Sequence, residues 1–281
     1  MSESGILVEV DDGVARITIN RPERRNALDT GSRDALLAAL DAARADAGVR
    51  AVLLTGAGDA FCSGADLSGG GGRSDTPTTS APAPPSPSPS PPGIDSRAVN
   101  ETLRSGSQRL IRTLWEFDKP TVAAVAGPAA GMGAHLALAC DLVVMAEGAR
   151  LIEVFARRGL VVDAMGAFLL PRLIGLGRAK QLILLADDLG AEQALDWGLA
   201  QLVTSRVALL DEAGAWAQRL AKGPTRALGL SKTLLNRSLE SSLDQSLLDE
   251  AMAVALNTSS ADLREGMVAF MERRPPQFIG R

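Results

Sequence analysis

KPTVAAVAGPAAGMGAHLALACD (residues 119–141) is the stretch that decides the fold of this chain. Its first apolar run, VAAVAG, predicts a short buried strand. A glycine-rich turn follows and leads into an apolar helix that carries the only histidine, His135. The next run, LVVMAEG, predicts a second buried strand. Strand, turn, helix and strand in this order are typical of an α/β protein.

The segments before this stretch continue the α/β pattern. ILVEVDDGVARITIN (6–20) alternates apolar and polar residues around a DDG turn, which predicts a β-hairpin. Residues 30–47 carry leucines at helical spacing, and the apolar run at 50–58 predicts a buried strand that ends in glycines. Helical periodicity returns over residues 97–117.

The part of the chain beyond residue 171 is predicted to be mainly helical, with long segments at 207–221, 224–238 and 243–272. We therefore divide the chain into an α/β core, residues 1–205, and a helical C-terminal region, residues 206–281. Such a helical appendage suits contacts between subunits.

Residues 69–93 interrupt the pattern with GGGGRSDTPTTSAPAPPSPSPSPPG, which has no apolar periodicity and little bulk to bury. This composition predicts a disordered surface insertion. A passive loop extension is a simpler interpretation than a ligand for a proline-recognising domain.

The composition excludes several classes of function. With 29 Lys and Arg against 33 Asp and Glu in 281 residues, the chain has no basic field for nucleic acid or an anionic membrane. Cys62 and Cys140 have no metal-ligand spacing and look structural, so we expect no metal. The first residues lack a signal-peptide pattern and no apolar run is long enough to span a bilayer, so we expect a cytoplasmic protein.

Six segments, in order, are similar to motifs of the enoyl-CoA hydratase/isomerase (crotonase) superfamily. They are ITINRPERRNALD (17–29), GAGDAFCSGADL (56–67), KPTVAAVAGPAAGMGAHLALACDL (119–142), LPRLIGLGRAKQLILLAD (170–187), AEQALDWGLAQLV (191–203) and EGMVAFMERRPPQF (265–278). The resemblance implies a crotonase-like spiral of ββα units with a helical C-terminal trimerisation region. It also implies an acyl-CoA thioester as substrate, no cofactor beyond the coenzyme A of that substrate, and a homotrimer or a dimer of trimers.

The chemistry of that family needs preorganised donors for the oxygen of a thioester enolate. The resemblance assigns these donors to the backbone N–H groups of Ala65 in SGAD and Met132 in GMG. Glycine-rich turns at helix starts present such groups. The side chain of Met132, where glycine is common, need not remove the donor, although it can narrow the pocket.

Two positions depart from a typical hydratase. By alignment, His135 and Phe155 stand where the two catalytic glutamates are usual. Because Phe155 can neither activate water nor deliver a proton, hydration by a pair of glutamates is disfavoured.

Asp163 in GLVVDAMG resembles the GLVPD-type motif of relatives in which an aspartate moves the proton. Our leading hypothesis makes Asp163 the base, and then the acid, of an acyl-CoA isomerisation. The alternative is that Asp163 is only the N-cap of the helix that follows.

His135 stands near the start of a helix, where the helix dipole favours a neutral ring. It either assists catalysis or only lines the pocket. Two alternatives therefore stay open: a hydratase or hydrolase that uses His135, and a catalytically silent acyl-CoA-binding protein. The SGAD and GMG motifs and Asp163 count against the silent protein.

The substrate-binding residues follow from the same resemblance. Arg24 is expected at the phosphates of coenzyme A, and Phe155 in the pocket. Glu153 shares strand parity with Phe155, although an exposed or salt-bridged glutamate is the more common outcome. The residues expected along the adenine and pantetheine channel are Ser63, Gly64, Asp66, Leu67 and Ser68.

Overall fold

The computed structural model describes residues 5–66 and 96–281, and nine strands lie within them. The strands are β1 (Ile6–Asp11), β2 (Val14–Ile19), β3 (Ala51–Gly56), β4 (Thr121–Val125), β5 (Ala129–Ala130), β6 (Leu142–Ala146), β7 (Arg150–Ile152), β8 (Asp188–Gly190) and β9 (Leu202–Thr204). A six-stranded sheet has the order β1-β2-β3-β4-β6-β9, and a three-stranded sheet has the order β5-β7-β8.

The helices of the described residues cover the sheets and form the C-terminal part of the chain. They are α1 (Thr30–Ala45), α2 (Ser96–Ser105), α3 (Ser107–Trp115), α4 (Met132–Leu138), α5 (Gly166–Leu185), α6 (Ala191–Asp196), α7 (Leu209–Ala221), α8 (Thr225–Arg237), α9 (Leu243–Asn257) and α10 (Ala261–Glu272). None of them is long and apolar enough to cross a membrane. The predicted insertion at 69–93 lies outside the described residues.

The predicted hairpin and buried strands are confirmed. β1 and β2 pair antiparallel, and Asp12 and Gly13 between them both have positive φ angles, as a two-residue turn of this twist requires. From β2 onward each neighbouring pair of the larger sheet is parallel. Every residue of β3 and β4 is buried, because these central strands are covered on both faces.

Two of the predicted helical stretches each contain a break. The stretch at 97–117 divides at Gly106, where an added Cβ would come within 2.6 Å of the Thr102 carbonyl oxygen. The stretch at 243–272 divides before Ser260, whose side chain caps α10 by accepting from the Asp262 N–H. Because the apolar periodicity continues across both breaks, the sequence pattern did not indicate them.

The proposed boundary at residue 205 falls just before α7, and α7 packs on the sheet. Leu209, Ala213 and Ala217 of this helix are buried in the same core as the strands. The C-terminal helices that extend beyond this core are therefore α8, α9 and α10.

Candidate active site

The SGAD and GMG turns, 67 residues apart in sequence, lie side by side in the structure. Cys62 and Ala129 form a parallel bridge, and the Ala130 N–H donates to the Cys62 carbonyl oxygen at 2.9 Å. A Cβ on Gly64 would come within 2.8 Å of the Ala130 carbonyl oxygen and 3.7 Å of the Met132 nitrogen. Only glycine permits this approach of the two backbones.

The backbone bridge between Leu28 and Ala65 turns the Ala65 N–H away from the segment that carries Leu28. Leu28 donates to the Gly64 carbonyl at 2.8 Å and accepts from the Asp66 N–H at 3.0 Å, which is the pattern of a parallel bridge. In that pattern the central residue, Ala65, directs its own N–H to the opposite side.

The Met132 N–H is the first donor of α4 and has no acceptor within the helix. The residue before it, Gly131, has a positive φ of 52° and forms the turn that starts the helix. The Met132 side chain is buried in the hydrophobic core. The two predicted donors thus come from adjacent turns.

His135 lies one turn into α4, and its ring is fully buried. Its Nε2 lies 3.1 Å and 3.2 Å from the two carboxylate oxygens of Glu153. Its Nδ1 has no hydrogen-bond partner among the described residues. The Phe155 ring stacks on the imidazole, with centroids 5.8 Å apart and planes 9° apart.

Glu153 is the residue of this site that sequence reasoning undervalued. An exposed or salt-bridged glutamate was the expected outcome; Glu153 is 1% exposed, and its partner is the buried imidazole of His135. Burial of a carboxylate is costly unless it has such a partner. The signal in the sequence was the predicted strand parity with Phe155, although β7 ends at Ile152 and the Phe155 backbone is helical.

Asp163 lies close enough to His135 and Glu153 to share their electrostatic field. Burial raises the pKa of the Asp163 carboxyl above its ordinary value, a charge on His135 lowers it, and the Glu153 carboxylate raises it. Among the described residues, no hydrogen bond satisfies the Asp163 carboxylate. His135, Glu153 and Asp163 therefore form a cluster in which Asp163 is a half-buried acid that is available to react.

Asp163 is not the N-cap of the helix that follows. Helix α5 begins at Gly166, and the N-cap position belongs to Met165. Ala164 and Met165 both have positive φ angles, 45° and 65°. Two adjacent non-glycine residues in this region cost about 1–3 kcal/mol each, and such strain is concentrated at functional sites.

Gly166 completes the cluster on the helix side. A Cβ there would collide with Cε1 and Nε2 of the His135 ring and would lie 2.7 Å from Cγ2 of Val162. Helix α5 can therefore approach the imidazole only because residue 166 has no side chain.

The predicted coenzyme A residues that the structure describes, Arg24, Ser63, Gly64 and Asp66, form one rim at the SGAD turn. The Arg24 side chain is exposed, and the Ser63 hydroxyl donates to the Arg24 carbonyl at 3.3 Å. Asp66 lies 3.3 Å from the Arg21 guanidinium, so its carboxylate already has a cationic partner. Leu67 and Ser68, which were predicted for the same channel, lie outside the described residues.

Asn26 secures this rim to the segment that precedes the SGAD turn. It is fully buried, and its amide nitrogen donates to the carbonyls of Ala57 and Ala60 at 2.8 Å and 2.7 Å. Its side-chain oxygen accepts from the Arg21 N–H. Sequence reasoning did not single out Asn26 in RRNAL, although a buried amide with three hydrogen bonds fixes the position of the rim.

The two cysteines are structural, as predicted. Both are buried, and burial raises the pKa of each thiol to about 12, so neither is a reactive thiolate at neutral pH. No group of side chains in the described part of the chain could hold a metal ion.

A large cavity in the described part of the chain adjoins the site through Met165, two residues beyond Asp163. It has a volume of about 670 Å³ and lies between α3, α5 and α8. Its walls combine aromatic and cationic side chains. The walls include Arg112 and Trp115 of α3, Met165 at the N-cap of α5, and Phe168 of α5.

Comparison with known proteins adds to this geometry. A family model described as enoyl-CoA hydratase/isomerase matches residues 9–83 and 94–281. A Rhodobacter capsulatus protein named "Probable enoyl-CoA hydratase" is 39% identical over 281 residues, which cover 100% of both chains. The 1,2-epoxyphenylacetyl-CoA isomerase of Escherichia coli is 39% identical over 280 residues, which cover 98% of both.

A solved structure confirms the fold. The crystal structure of an enoyl-CoA hydratase from Bacillus anthracis matches with a TM-score of 0.84 and 29% identity, over 99% of this chain and 100% of that one. The α/β architecture that the resemblance implied is therefore correct.

Proposed function

The chain belongs to the enoyl-CoA hydratase/isomerase family, and from that premise we propose that it isomerises an enoyl-type acyl-CoA with Asp163 as the base. Enzymes of this family act on acyl-CoA thioesters. The observation that carries the proposal is Asp163 itself, a half-buried carboxylate beside His135 and on a strained turn.

The proposed reaction moves one proton and adds no atoms. The Asp163 carboxylate removes a proton from a carbon next to the thioester or conjugated with it. The electron pair of the broken C–H bond passes to the thioester oxygen and forms an enolate. Asp163 then returns the proton to a different carbon, the negative charge leaves the oxygen, and the double bond has moved.

The backbone N–H groups of Ala65 and Met132 stabilise the enolate oxygen in this proposal. Their support is the side-by-side arrangement of the two turns and the orientation of both donors away from intrachain acceptors. Loss of one donor of this kind costs roughly 10²–10³-fold in kcat in other enzymes.

In this proposal Asp163 is the base, and His135 lies beside it. The ring of His135 is fully buried, and Glu153 occupies its Nε2, so we assign the transfer of the proton to Asp163 and not to the imidazole. Phe155 covers one face of the ring and limits water at the position where a hydratase glutamate would act. Arg24, Ser63, Gly64, Asp66, Leu67 and Ser68 are proposed to line the coenzyme A channel.

Hydration of an enoyl-CoA is the second candidate, and one observation favours it. The site holds a second carboxylate, Glu153, and an acid–base pair is what addition of water requires. Glu153 faces His135, however, whereas Asp163 has no such partner among the described residues, so isomerisation by Asp163 remains the preferred proposal.

Product analysis of the wild-type protein and the Asp163→Asn variant tests the function. Incubation with a panel of straight-chain, branched and aromatic enoyl-CoA thioesters should give products of unchanged mass with a moved double bond. Asp163→Asn should lose at least about 10²-fold in turnover while binding coenzyme A as before. Products one water heavier would support hydration, free coenzyme A would support hydrolysis, and an active Asp163→Asn variant would remove Asp163 from the mechanism.

The assembly belongs to the same proposal. We infer a homotrimer or a dimer of trimers, which the family resemblance implies and which the exposed apolar side chains of α9 and α10 support.

A further inference from the structure

Glu153 and His135 form a buried pair that the proposed reaction does not use directly. Glu153 is 1% exposed, His135 is 0% exposed, and they come from different elements, α4 and the segment after β7. Both Glu153 oxygens lie within 3.2 Å of His135 Nε2. In the described part of the chain, this imidazole is the only hydrogen-bond partner of the Glu153 carboxylate.

The surroundings of the two ring nitrogens decide where the imidazole proton lies. A carboxylate only accepts hydrogen bonds, so it needs a donor, and Nε2–H is the donor within reach. The other nitrogen, Nδ1, is buried with no acceptor among the described residues. A proton on Nδ1 would be an unsatisfied buried donor, whereas a proton on Nε2 satisfies Glu153 as well.

We propose that Glu153 is a positioning residue, which accepts from Nε2–H and holds His135 as the neutral Nε2–H tautomer beside Asp163. The Phe155 ring on one face and the space left by Gly166 fix the plane of the same imidazole. This inference rests on the proposed function, because it gives Glu153 a part in the proton chemistry of Asp163.

The pair then carries one negative charge next to the base. Within the described residues, the titratable side chains whose charges act on Asp163 are His135 from α4 and Glu153 from the segment after β7. With the ring neutral, the Glu153 carboxylate is the remaining charge, and it makes the Asp163 carboxylate a stronger base.

A spectrum of the single histidine tests the proton position without any assay of turnover. The full chain is prepared without a histidine tag and with ¹⁵N-labelled histidine, so every imidazole signal comes from His135. The wild-type spectrum should show a protonated Nε2 and an unprotonated Nδ1 near neutral pH. A protonated Nδ1 would overturn the proposal.

Two variants extend the spectroscopic test. Glu153→Gln keeps an oxygen that accepts from Nε2–H and should keep this tautomer, whereas Glu153→Leu should give a mixture of tautomers. Glu147→Gln, an exposed change at the end of β6, is the matched control and should leave the spectrum unchanged. A Glu153→Leu spectrum identical to that of the control would contradict the pairing.

The pH dependence of kcat/KM separates a positioning role from a merely structural one. Because Glu153→Gln removes a negative charge near Asp163, the acidic limb of the profile should move to lower pH, and Glu147→Gln should not move it. An unmoved limb in a stably folded Glu153→Gln variant would overturn the proposal. If the proposed function fails, Asp163→Asn should instead show undiminished turnover. The histidine spectrum would still test whether Glu153 holds the His135 tautomer, because it does not depend on turnover.

Discussion

Asp163 has an environment that opposes its own ionisation. Its carboxyl is half-buried, its pKa is raised by burial and by the Glu153 carboxylate, and two left-handed residues follow it. A group in such a place weakens the folded state whenever it is charged, because the unfolded chain would solvate the charge fully. This is the arrangement expected of a residue kept for chemistry.

The stability of Asp163→Asn follows from this environment. The raised pKa means that wild-type stability falls as pH rises through the unfolded and then the folded pKa of Asp163. Removal of the charge should therefore raise the Tm of Asp163→Asn above that of the wild type at pH 7, and the difference should shrink in acid. Thermal melts of both proteins against pH measure this, and a Tm that falls at pH 7 would contradict the electrostatic account.

At the scale of elements, the site depends on the close approach of α5 to the His135 ring. Gly166 allows this approach because a Cβ at that position would collide with the imidazole. The same helix contains Gly177, whose added Cβ would meet nothing within 4 Å. The two glycines therefore form a matched pair for substitution.

Gly166→Ala should destabilise the fold by about 1–3 kcal/mol, because the new methyl group forces the ring or the helix to move. It should also lower kcat, since the imidazole beside Asp163 is displaced. Gly177→Ala should instead stabilise the protein by about 0.5–1 kcal/mol with unchanged kcat. Denaturant unfolding and steady-state kinetics of both variants check this; equal effects would show that the contact with His135 is unimportant.

The elements were largely predictable because they depend on local pattern. Alternation around Asp12 and Gly13 gave the hairpin, and continuous apolar runs gave β3 and β4. The helix breaks at Gly106 and Ser260 were missed, because each depends on a cap or a close contact and leaves the apolar spacing intact.

The site was predictable only in part, for a physical reason. The turn motifs pointed to Ala65 and Met132 because a backbone donor is a property of a short segment. The pair of Glu153 and His135 joins residues from two elements, and neither side chain has an informative neighbour in sequence. The parity argument pointed to Glu153, but only the packing of α4 against the segment after β7 supplies its partner.

At the scale of the whole molecule, the C-terminal helices leave a large apolar surface exposed. Phe270 and Met271 of α10 are 82% and 70% exposed, and Leu243 and Leu247 of α9 are 74% and 55% exposed. The assembly proposal takes these side chains as an interaction site, because large exposed apolar patches mark such sites. A second and third copy of this chain are the partners that the assembly proposal assigns to it.

Light scattering coupled to size-exclusion chromatography measures the assembly. The wild type should have the mass of a trimer or of a hexamer, and the double variant Leu247→Glu and Phe270→Glu should shift toward a single chain because it places charges in the apolar contact. Glu250→Gln, an exposed change on α9, is the control and should leave the mass unchanged. A wild-type protein with the mass of one chain would refute the assembly.

The central claim is that Asp163 moves a proton between the protein and an acyl-CoA carbon. The most direct measurement is deuterium incorporation into enoyl-CoA and saturated acyl-CoA thioesters incubated in D₂O, followed by mass spectrometry and NMR. The wild type should incorporate deuterium at the α- or γ-carbon, and Asp163→Asn should be slower by at least about 10²-fold with unchanged coenzyme A binding. Equal exchange by both proteins, or none by the wild type across the panel, would contradict the claim.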